Sequence, residues 1–269
     1  MREAEAEPAT GVRARLAAVV GPIGSLRPLI GTAWMVESGG RTLVAKLGPG
    51  APDEADGLRQ LAAVADAPPV PDVVFVEADL LVTTAVDQLP RTAAHDEALG
   101  RALAWLHRAP YPHWGGGSSW VGACPVDPGR ATDGPAFYAA RLIELARRCG
   151  LEDAVTTVVA RLAELLPPGG PALLHGDLWW GNVLFGTDGR SWVIDPSVHG
   201  GHPEEDLAML ALFGAVPDRL LVAYMEVRPL HPGWEDRIGL FQLAPLLLHS
   251  VLFGGGYGAR AEAVARRYA

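Results

Sequence analysis

Three side chains that carry oxygen stand at fixed spacing in an otherwise apolar stretch, LLHGDLWWGNVLFGTDGRSWVID, at residues 173–195. Asp177 precedes Asn182 by five residues, and Asp195 follows thirteen residues later. Because polar groups cost free energy when they are buried without partners, we expect these three to hold a ligand. The alternative is that all three are turn and cap residues, since Asp and Asn favour loops on their own account.

The segment after Asn182 has the pattern of a β-hairpin, which would return the chain so that Asp195 lies beside Asn182. The runs VLF and SWVID flank GTDGR, whose Asp-Gly pair favours a tight turn. An amide oxygen next to a carboxylate suits Mg²⁺, which takes oxygen ligands and shares them with water and phosphates. Asp177, on the loop that enters the hairpin, could orient and deprotonate an alcohol. This spacing is that of kinase-type phosphoryl transfer.

Kinase chemistry also requires a cation that holds the nucleotide phosphates. The strand-like run RTLVAKL supplies Lys46 near its end, where the kinase pattern places such a lysine. Lysines commonly end strands facing solvent, but the 22 basic residues of this chain are nearly all arginine, which makes a lysine here informative. Glu54, in the helix-like stretch that follows, could pair with Lys46 and fix its direction.

Periodicity predicts an α+β fold that could position these residues. A helix at 10–20 is followed by the strands AWMVES and RTLVAKL around a Gly-Gly turn, the helix PDEADGLRQLAAVAD, and two strands within VPDVVFVEADLLVTT. Later segments are mainly helical, near 137–149, 152–166, 204–213, 217–227, 235–253 and 259–268, with an irregular interval at 109–135. We therefore expect a small antiparallel β-rich lobe, residues 1–86, and a larger helical lobe, residues 87–269.

Composition limits the possible partners of the protein. With 269 residues, a formal net charge of −9 and a pI near 5.3, the chain lacks the excess of basic residues that is typical of proteins that bind nucleic acid or an anionic membrane. Cys124 and Cys149 form no CxxC motif, so neither a metal site nor a disulfide framework is indicated. The charged amino-terminal segment lacks the apolar region of a secretory signal, and the most apolar run, LFQLAPLLLHSVLFGG, is too interrupted to span a membrane. We expect a cytoplasmic protein.

Several longer motifs resemble one family. LLHGDLWWGN, VIDPSVHGGHPEEDLAMLALFG, AYMEVRPLHPGWEDRIGLFQL and LLLHSVLFGGGY resemble the fructosamine kinase (ketosamine 3-kinase) family, within the kinase-like group that includes aminoglycoside and choline phosphotransferases. The resemblance implies a bilobal protein-kinase-like fold and ATP-dependent phosphorylation of the 3-hydroxyl of a ketosamine, whose unstable product releases the amine, a deglycation.

The resemblance also assigns roles to individual residues. It makes Asp177 the catalytic base, Asn182 and Asp195 the Mg²⁺ ligands, and Lys46 with Glu54 the pair that clamps the phosphates. It implies that residues 24–33 cover the nucleotide. The adenine would meet the backbone of a short segment that consists of Thr83, Thr84, Ala85 and Val86.

The acceptor side departs from the family pattern. The family commonly has a small residue where Trp180 stands, and reads roughly YYGHRE where this chain has HGGHPE at 199–204. We therefore predict Trp179, His199 and His202 only as candidate substrate contacts. Two alternatives stay open: a kinase for an aminoglycoside, amino sugar or other small alcohol, and a nucleotide-binding module without transfer activity.

Two further residues of these motifs have predicted structural roles. His175 is expected to hold loop backbone by hydrogen bonds rather than to do chemistry. Asp206 is expected to cap a helix or to brace the catalytic loop.

Overall fold

The structure is a computed structural model that describes residues 9–116, 119–121, 124–126 and 129–269. Its amino-terminal part contains helix α1 (Ala9–Val20), strands β1 (Ile23–Pro28), β2 (Ala33–Ser38) and β3 (Arg41–Leu47), helix α2 (Ala51–Ala62), and strands β4 (Val73–Glu77) and β5 (Leu80–Thr84). The strands form one antiparallel sheet in the order β1-β2-β3-β5-β4. Residues 1–8, at the charged amino terminus, and the side chain of Cys124 lie outside the described part of the chain.

The strand β1 was not predicted. Residues 24–33, expected as a loop, form most of β1, a short turn and the first residue of β2. The two strands are antiparallel, with Leu26 opposite Val36 and Pro28 opposite Trp34. β1 is an edge strand with a largely exposed surface and a terminal proline, so it lacks the alternation of apolar residues that reveals a strand in sequence.

The two faces of this sheet pack into different cores. One face, with Val36, Leu43 and Val82, packs against Val12 and Leu16 of α1. α2 contributes to a second core that also contains residues of the carboxyl-terminal part. The last strand of the sheet ends at Thr84. Because α2 packs into a core that it shares with the carboxyl-terminal part, the division into two lobes after residue 86 stays a prediction.

The carboxyl-terminal part is mainly helical. It contains α3 (Ala93–Leu106), α4 (Gly134–Cys149), α5 (Glu152–Leu165), α6 (Glu204–Leu210), α7 (Asp218–Val227), α8 (Trp234–Phe253) and α9 (Tyr257–Ala265). From α4 onward these helices match the predicted segments, although α6 and α9 each end three residues earlier than expected. In the described ranges, no helix combines the length and the apolar character that a membrane crossing needs. The largest core of this part joins α4, α5, α6, α8 and α9.

Short strands fill the space between these helices. They are β6 (Trp114–Gly115), β7 (Ser119–Val121), β8 (Cys124–Val126), β9 (Arg130–Ala131), β10 (Ala172–Leu174), β11 (Val183–Phe185), β12 (Ser191–Val193) and β13 (His199–Gly201). In its described residues, the interval at 109–135, expected to be irregular, thus holds four two- or three-residue strands. β11 and β12 form the hairpin predicted from sequence, and β10 pairs with β13. The loop between β10 and β11 carries Asp177.

Candidate active site

The buried carboxylate of Asp206 holds the loop that carries Asp177 by hydrogen bonds to its backbone. Asp206, in α6, accepts hydrogen bonds from the backbone N–H of His175 at 2.8 Å and of Gly176 at 2.9 Å, and its Oδ2 lies 3.1 Å from His107 Nε2. Burial alone would raise the pKa of Asp206, but His107 and these hydrogen bonds hold that pKa below its ordinary value. Asp206 therefore braces the loop and is not a helix cap.

His175, which belongs to the same loop, also holds its backbone by hydrogen bonds. Its Nδ1 accepts a hydrogen bond from the Asp177 N–H at 3.3 Å, so Nε2 carries the proton and donates to the carbonyl of Ile194 at 3.0 Å. Burial lowers the pKa of His175, which favours this neutral form. The next residue, Gly176, has a φ of +81°, and a Cβ there would collide with the carbonyl oxygen of Ser197. The structure thus gives His175 the structural role expected from sequence.

Asp177 and Asn182 are joined by direct hydrogen bonds. Asn182 Nδ2 donates to the backbone oxygen of Asp177 at 2.8 Å and to its Oδ2 at 3.1 Å. Burial raises the pKa of Asp177 to about 7; the hydrogen bond from Asn182 opposes this shift, and the charges of Asp195 and Asp206 add to it. A carboxylate that titrates near neutral pH is suited to accept a proton from an alcohol.

The β11–β12 hairpin brings Asp195 to this pair, as the spacing predicted. Val183 lies opposite Val193, and the N–H of Ile194 donates to the carbonyl of Asn182 at 3.1 Å. Asp195 has a φ of +57°, a left-handed conformation that is uncommon for a residue with a side chain. Non-glycine residues in such conformations cluster at functional sites, and they persist only where the surrounding structure supports the strain.

Lys46 reaches from the five-stranded sheet to Asp195. Its Nζ lies 2.8 Å from Glu54 Oε2 and 2.8 Å from Asp195 Oδ1. Burial alone would lower the pKa of Lys46, but the carboxylates of Asp195 and Glu54 outweigh that effect and raise it. The structure therefore gathers Lys46, Glu54, Asp177, Asn182 and Asp195 into one site, from segments that are distant in sequence.

The donor atoms of this site fit Mg²⁺ rather than a transition metal. Asn182 donates through Nδ2, which leaves Oδ1 as its acceptor atom, and Asp195 holds Lys46 with Oδ1, which leaves Oδ2. Across the described residues, no group of three or more His, Cys, Asp or Glu side chains is arranged to hold a metal by itself. A pair of oxygen donors that leaves room for water and phosphate is the kind of site that Mg²⁺ uses.

The end of β5, predicted to meet adenine, is partly occupied by hydrogen bonds within the protein. The N–H of Thr84 donates to the carbonyl of Asp72 at 3.0 Å, and that of Ala85 donates to the carbonyl of Thr42 at 3.1 Å. Thr83 is buried. A contact with adenine would thus use other backbone atoms of this segment, and the role of Thr83, Thr84, Ala85 and Val86 stays a prediction.

The three candidate substrate residues differ in accessibility. Trp179 is 39% exposed, and its indole lies over Gly181. His199 is buried, with Nδ1 2.9 Å from the Ser197 carbonyl and Nε2 3.1 Å from Glu205 Oε1. His202 is also buried and stacks on Phe241, with ring centroids 5.5 Å apart. Direct substrate contact by either histidine stays a prediction, and it is one that their burial does not favour.

Sequence reasoning missed a buried ion pair next to His199. Arg141 Nη1, from α4, contacts Glu205 Oε1 of α6 and lies 3.4 Å from His199 Nε2, and the Tyr138 hydroxyl donates to Glu205 Oε2 at 2.9 Å. Burial alone would raise the pKa of Glu205, but Arg141 and His199 hold it well below its ordinary range. The available signal was the position of Arg141 on the same helix face as the buried Phe137, Tyr138, Leu142 and Leu145.

Comparisons with known proteins agree with this geometry. A sequence model of the family described as fructosamine kinase matches residues 45–268. The chain belongs to the fructosamine kinase family. It is 34% identical over 229 residues to a probable ketoamine kinase of Lactiplantibacillus plantarum, and the alignment covers 80% of each protein. Some other curated relatives align over shorter segments, from 33% to 62% of their own length.

Solved structures extend the comparison to the fold. A crystal structure described as a candidate fructosamine-3-kinase from Thermobifida fusca has a TM-score of 0.87 and 36% identity, and the match covers 97% of this chain and 99% of that one. An aminoglycoside phosphotransferase solved with ADP and hygromycin B has a TM-score of 0.66 at 20% identity, with 95% and 98% covered, and shows the shared fold alone. The predicted family and kinase-like fold are confirmed, and the chain is a phosphotransferase.

Trp180, which departs from the common fructosamine kinase pattern, connects the catalytic loop to the segment between β5 and α3. The Arg91 guanidinium lies 3.7 Å from the centroid of its ring, and Arg91 Nε bonds Asp96 Oδ1 at 2.6 Å. The indole also lies against Gly214. Trp180 therefore has a packing role in this chain, within the carboxyl-terminal part of the protein.

Proposed function

We propose that the chain transfers the γ-phosphoryl group of ATP to the 3-hydroxyl of the sugar in a ketosamine. The observation that carries the proposal is the chain of contacts from Glu54 through Lys46 to Asp195, beside the pair of Asp177 and Asn182. In this arrangement Lys46 holds the nucleotide phosphates, and Asn182 with Asp195 holds Mg²⁺. When it is bound, the ion neutralises charge on the phosphates.

Asp177 is proposed as the proton acceptor. The oxygen of the sugar hydroxyl forms a bond to the γ-phosphorus, the bond from that phosphorus to the bridging oxygen of ADP breaks, and the hydroxyl proton passes to the Asp177 carboxylate. The pKa of about 7 leaves a large fraction of Asp177 ionised at neutral pH and able to take that proton. Asn182 orients the carboxylate through its bond to Oδ2.

The nucleotide is proposed to lie between the five-stranded sheet and the catalytic loop. Residues 24–33, now seen as β1 and the turn before β2, would cover it, and the backbone of Thr83, Thr84, Ala85 and Val86 would meet adenine. In this proposal the nucleotide lies between two lobes, whose boundary is near residue 86. The cytoplasmic location and the absence of nucleic-acid and membrane partners, expected from composition, stay predictions.

The acceptor is proposed to be a ketosamine, either free or on a protein side chain. The names of the relatives support this choice, since they include a ketoamine kinase and a candidate fructosamine-3-kinase. A phosphorylated ketosamine that decomposes would free the amine, so the activity would serve deglycation. The HGGHPE segment favours a second candidate, a kinase for an amino sugar, because its buried His199 replaces a residue of the common family pattern.

The test is an acceptor screen that measures ADP release with MgATP. We expect turnover with fructosyl-lysine, with the phosphate on the 3-oxygen by NMR, and none with Asp177→Asn. Turnover of amino sugars alone would support the second candidate. ATP binding without transfer to any acceptor would indicate that the chain is a nucleotide-binding module without transfer activity.

A further inference from the structure

Five aromatic side chains form a continuous row that begins at the catalytic loop. The ring centroids of Trp179 and Phe213 are 6.0 Å apart, and those of Phe213 and His249 are 5.1 Å apart. His249 lies 5.5 Å from Phe253 and 5.1 Å from Tyr257. The row, called here the aromatic row, thus runs from the loop of Asp177 to the end of α8 and the start of α9.

Three rings of the aromatic row are exposed to solvent. Trp179 is 39% exposed, Phe213 is 40% exposed and Phe253 is 69% exposed. Isolated exposed apolar residues are ordinary, but adjoining ones are typical of a surface that contacts another molecule. Aromatic rings also offer a large apolar area that needs little ordering when a ligand binds.

Two residues of the aromatic row are held by hydrogen bonds within the protein. The N–H of Trp179 donates to the Asp177 carbonyl at 3.1 Å, and the carbonyl of Trp179 accepts from the Asn182 N–H at 2.9 Å. His249 Nδ1 donates to the carbonyl of Pro245 at 2.7 Å, one turn earlier in α8. The first ring therefore moves with the loop that carries the proposed base, and the position of a central ring is set by its helix.

The acceptor of the proposed reaction has two parts, a sugar and a substituent on the amine. When the sugar hydroxyl lies at Asp177, the substituent must leave the site along one of its walls. The aromatic row is a wall that begins two residues from Asp177, and its successive rings extend farther than one sugar ring can cover. We propose that the aromatic row binds the amine-side substituent of the acceptor and selects apolar or aromatic amines. This inference rests on the proposed ketosamine kinase function.

The test uses two acceptors that differ by one ring, the fructosyl derivatives of ethylamine and of 2-phenylethylamine. With the full chain and MgATP, we expect kcat/KM to favour the phenylethylamine derivative by about tenfold, from burial of the phenyl group. Phe213→Ala and Phe253→Ala should each bring the ratio close to one, because each lowers kcat/KM more for the phenylethylamine derivative than for the ethylamine derivative. Trp105→Ala, which removes a 38% exposed tryptophan from α3, is the matched control and should keep the ratio.

The outcomes separate this inference from the proposed function. Equal kcat/KM values for the two acceptors, or a preference that survives both phenylalanine variants, would overturn the inference and leave ketosamine phosphorylation standing. No phosphorylation of either acceptor or of fructosyl-lysine would overturn both. Equal values together with a dimer that Phe253→Ala dissociates would assign the row to a second copy of the chain instead. Unchanged thermal unfolding of the variants would show that they fold.

Discussion

At the scale of single residues, the two aspartates of the site differ in their surroundings, and their proposed roles differ accordingly. Asp177 touches Asn182 and has a pKa near 7, whereas Asp195 contacts Lys46 and stands in a left-handed conformation. The first arrangement suits a proton acceptor, and the second suits a residue that binds a metal–nucleotide complex. Substitutions at the two positions should therefore affect different steps.

We expect Asp177→Asn to lower kcat by at least about 10²-fold, the usual contribution of a general base, with little change in the Kd for MgATP. Asp195→Ala should instead abolish Mg²⁺-dependent nucleotide binding, because it removes an oxygen donor and a partner of Lys46. Steady-state kinetics and calorimetric titration with MgATP would measure the two effects. An equal loss of ATP affinity in both variants would contradict these roles.

At the scale of elements, α4 and α6 are joined by the buried pair of Arg141 and Glu205, whose side chains are 12% and 7% exposed. Glu205→Gln should lower the free energy of unfolding by about 3–5 kcal/mol, because it leaves the Arg141 charge buried without its carboxylate. The double variant Arg141→Met, Glu205→Gln removes both charges and should recover a large part of that loss. Urea unfolding would measure both.

The matched control for this pair is Arg101→Met with Glu226→Gln. Those side chains are 46% and 51% exposed, and exposed pairs contribute about 0–1 kcal/mol. Losses that simply add in the Arg141 and Glu205 variants would show that the two residues do not stabilise each other.

The elements also show which parts of the structure sequence patterns reveal. β2, β3 and the β11–β12 hairpin were predictable, because apolar alternation and glycine turns report local geometry directly. β1 was not, because an exposed edge strand has no buried face to mark it. The pairing of Lys46 with Glu54 followed from the kinase pattern, whereas the direct contact of Lys46 with Asp195 was not predicted. The pair of Arg141 and Glu205 could not be derived, because their meeting depends on the packing of two helices distant in sequence.

At the scale of the whole molecule, buried titratable groups make stability depend on pH. Burial, together with the nearby charges of His231, Arg228 and Arg237, lowers the pKa of His202 to about 3. The unfolded chain binds a proton at this position below pH of about 6.5, but the folded protein does not. The contribution of His202 is therefore present above pH 6.5 and is lost as pH falls toward 3.

We expect this contribution to fall by about 2 kcal/mol between pH 7 and pH 5, from the difference between folded and unfolded pKa values. Asp177 acts in the opposite direction, because its raised pKa stabilises the folded protein as pH falls below 7. The measurement is thus the difference in unfolding free energy between the original chain and His202→Asn at each pH, which cancels the effect of Asp177. A difference that is constant from pH 7 to pH 5 would show that His202 keeps an ordinary pKa.

Lys46 is the only lysine among the 269 residues, so the ε-amine chemistry of the chain is confined to its active site. Its two carboxylate partners keep that amine charged, and a charged amine does not attack an aldehyde. A protein proposed to repair sugar damage to amines therefore offers reducing sugars almost no side chain to damage. After incubation with glucose, mass spectrometry should find few side-chain adducts, all of them at Lys46, and bound MgATP should suppress them.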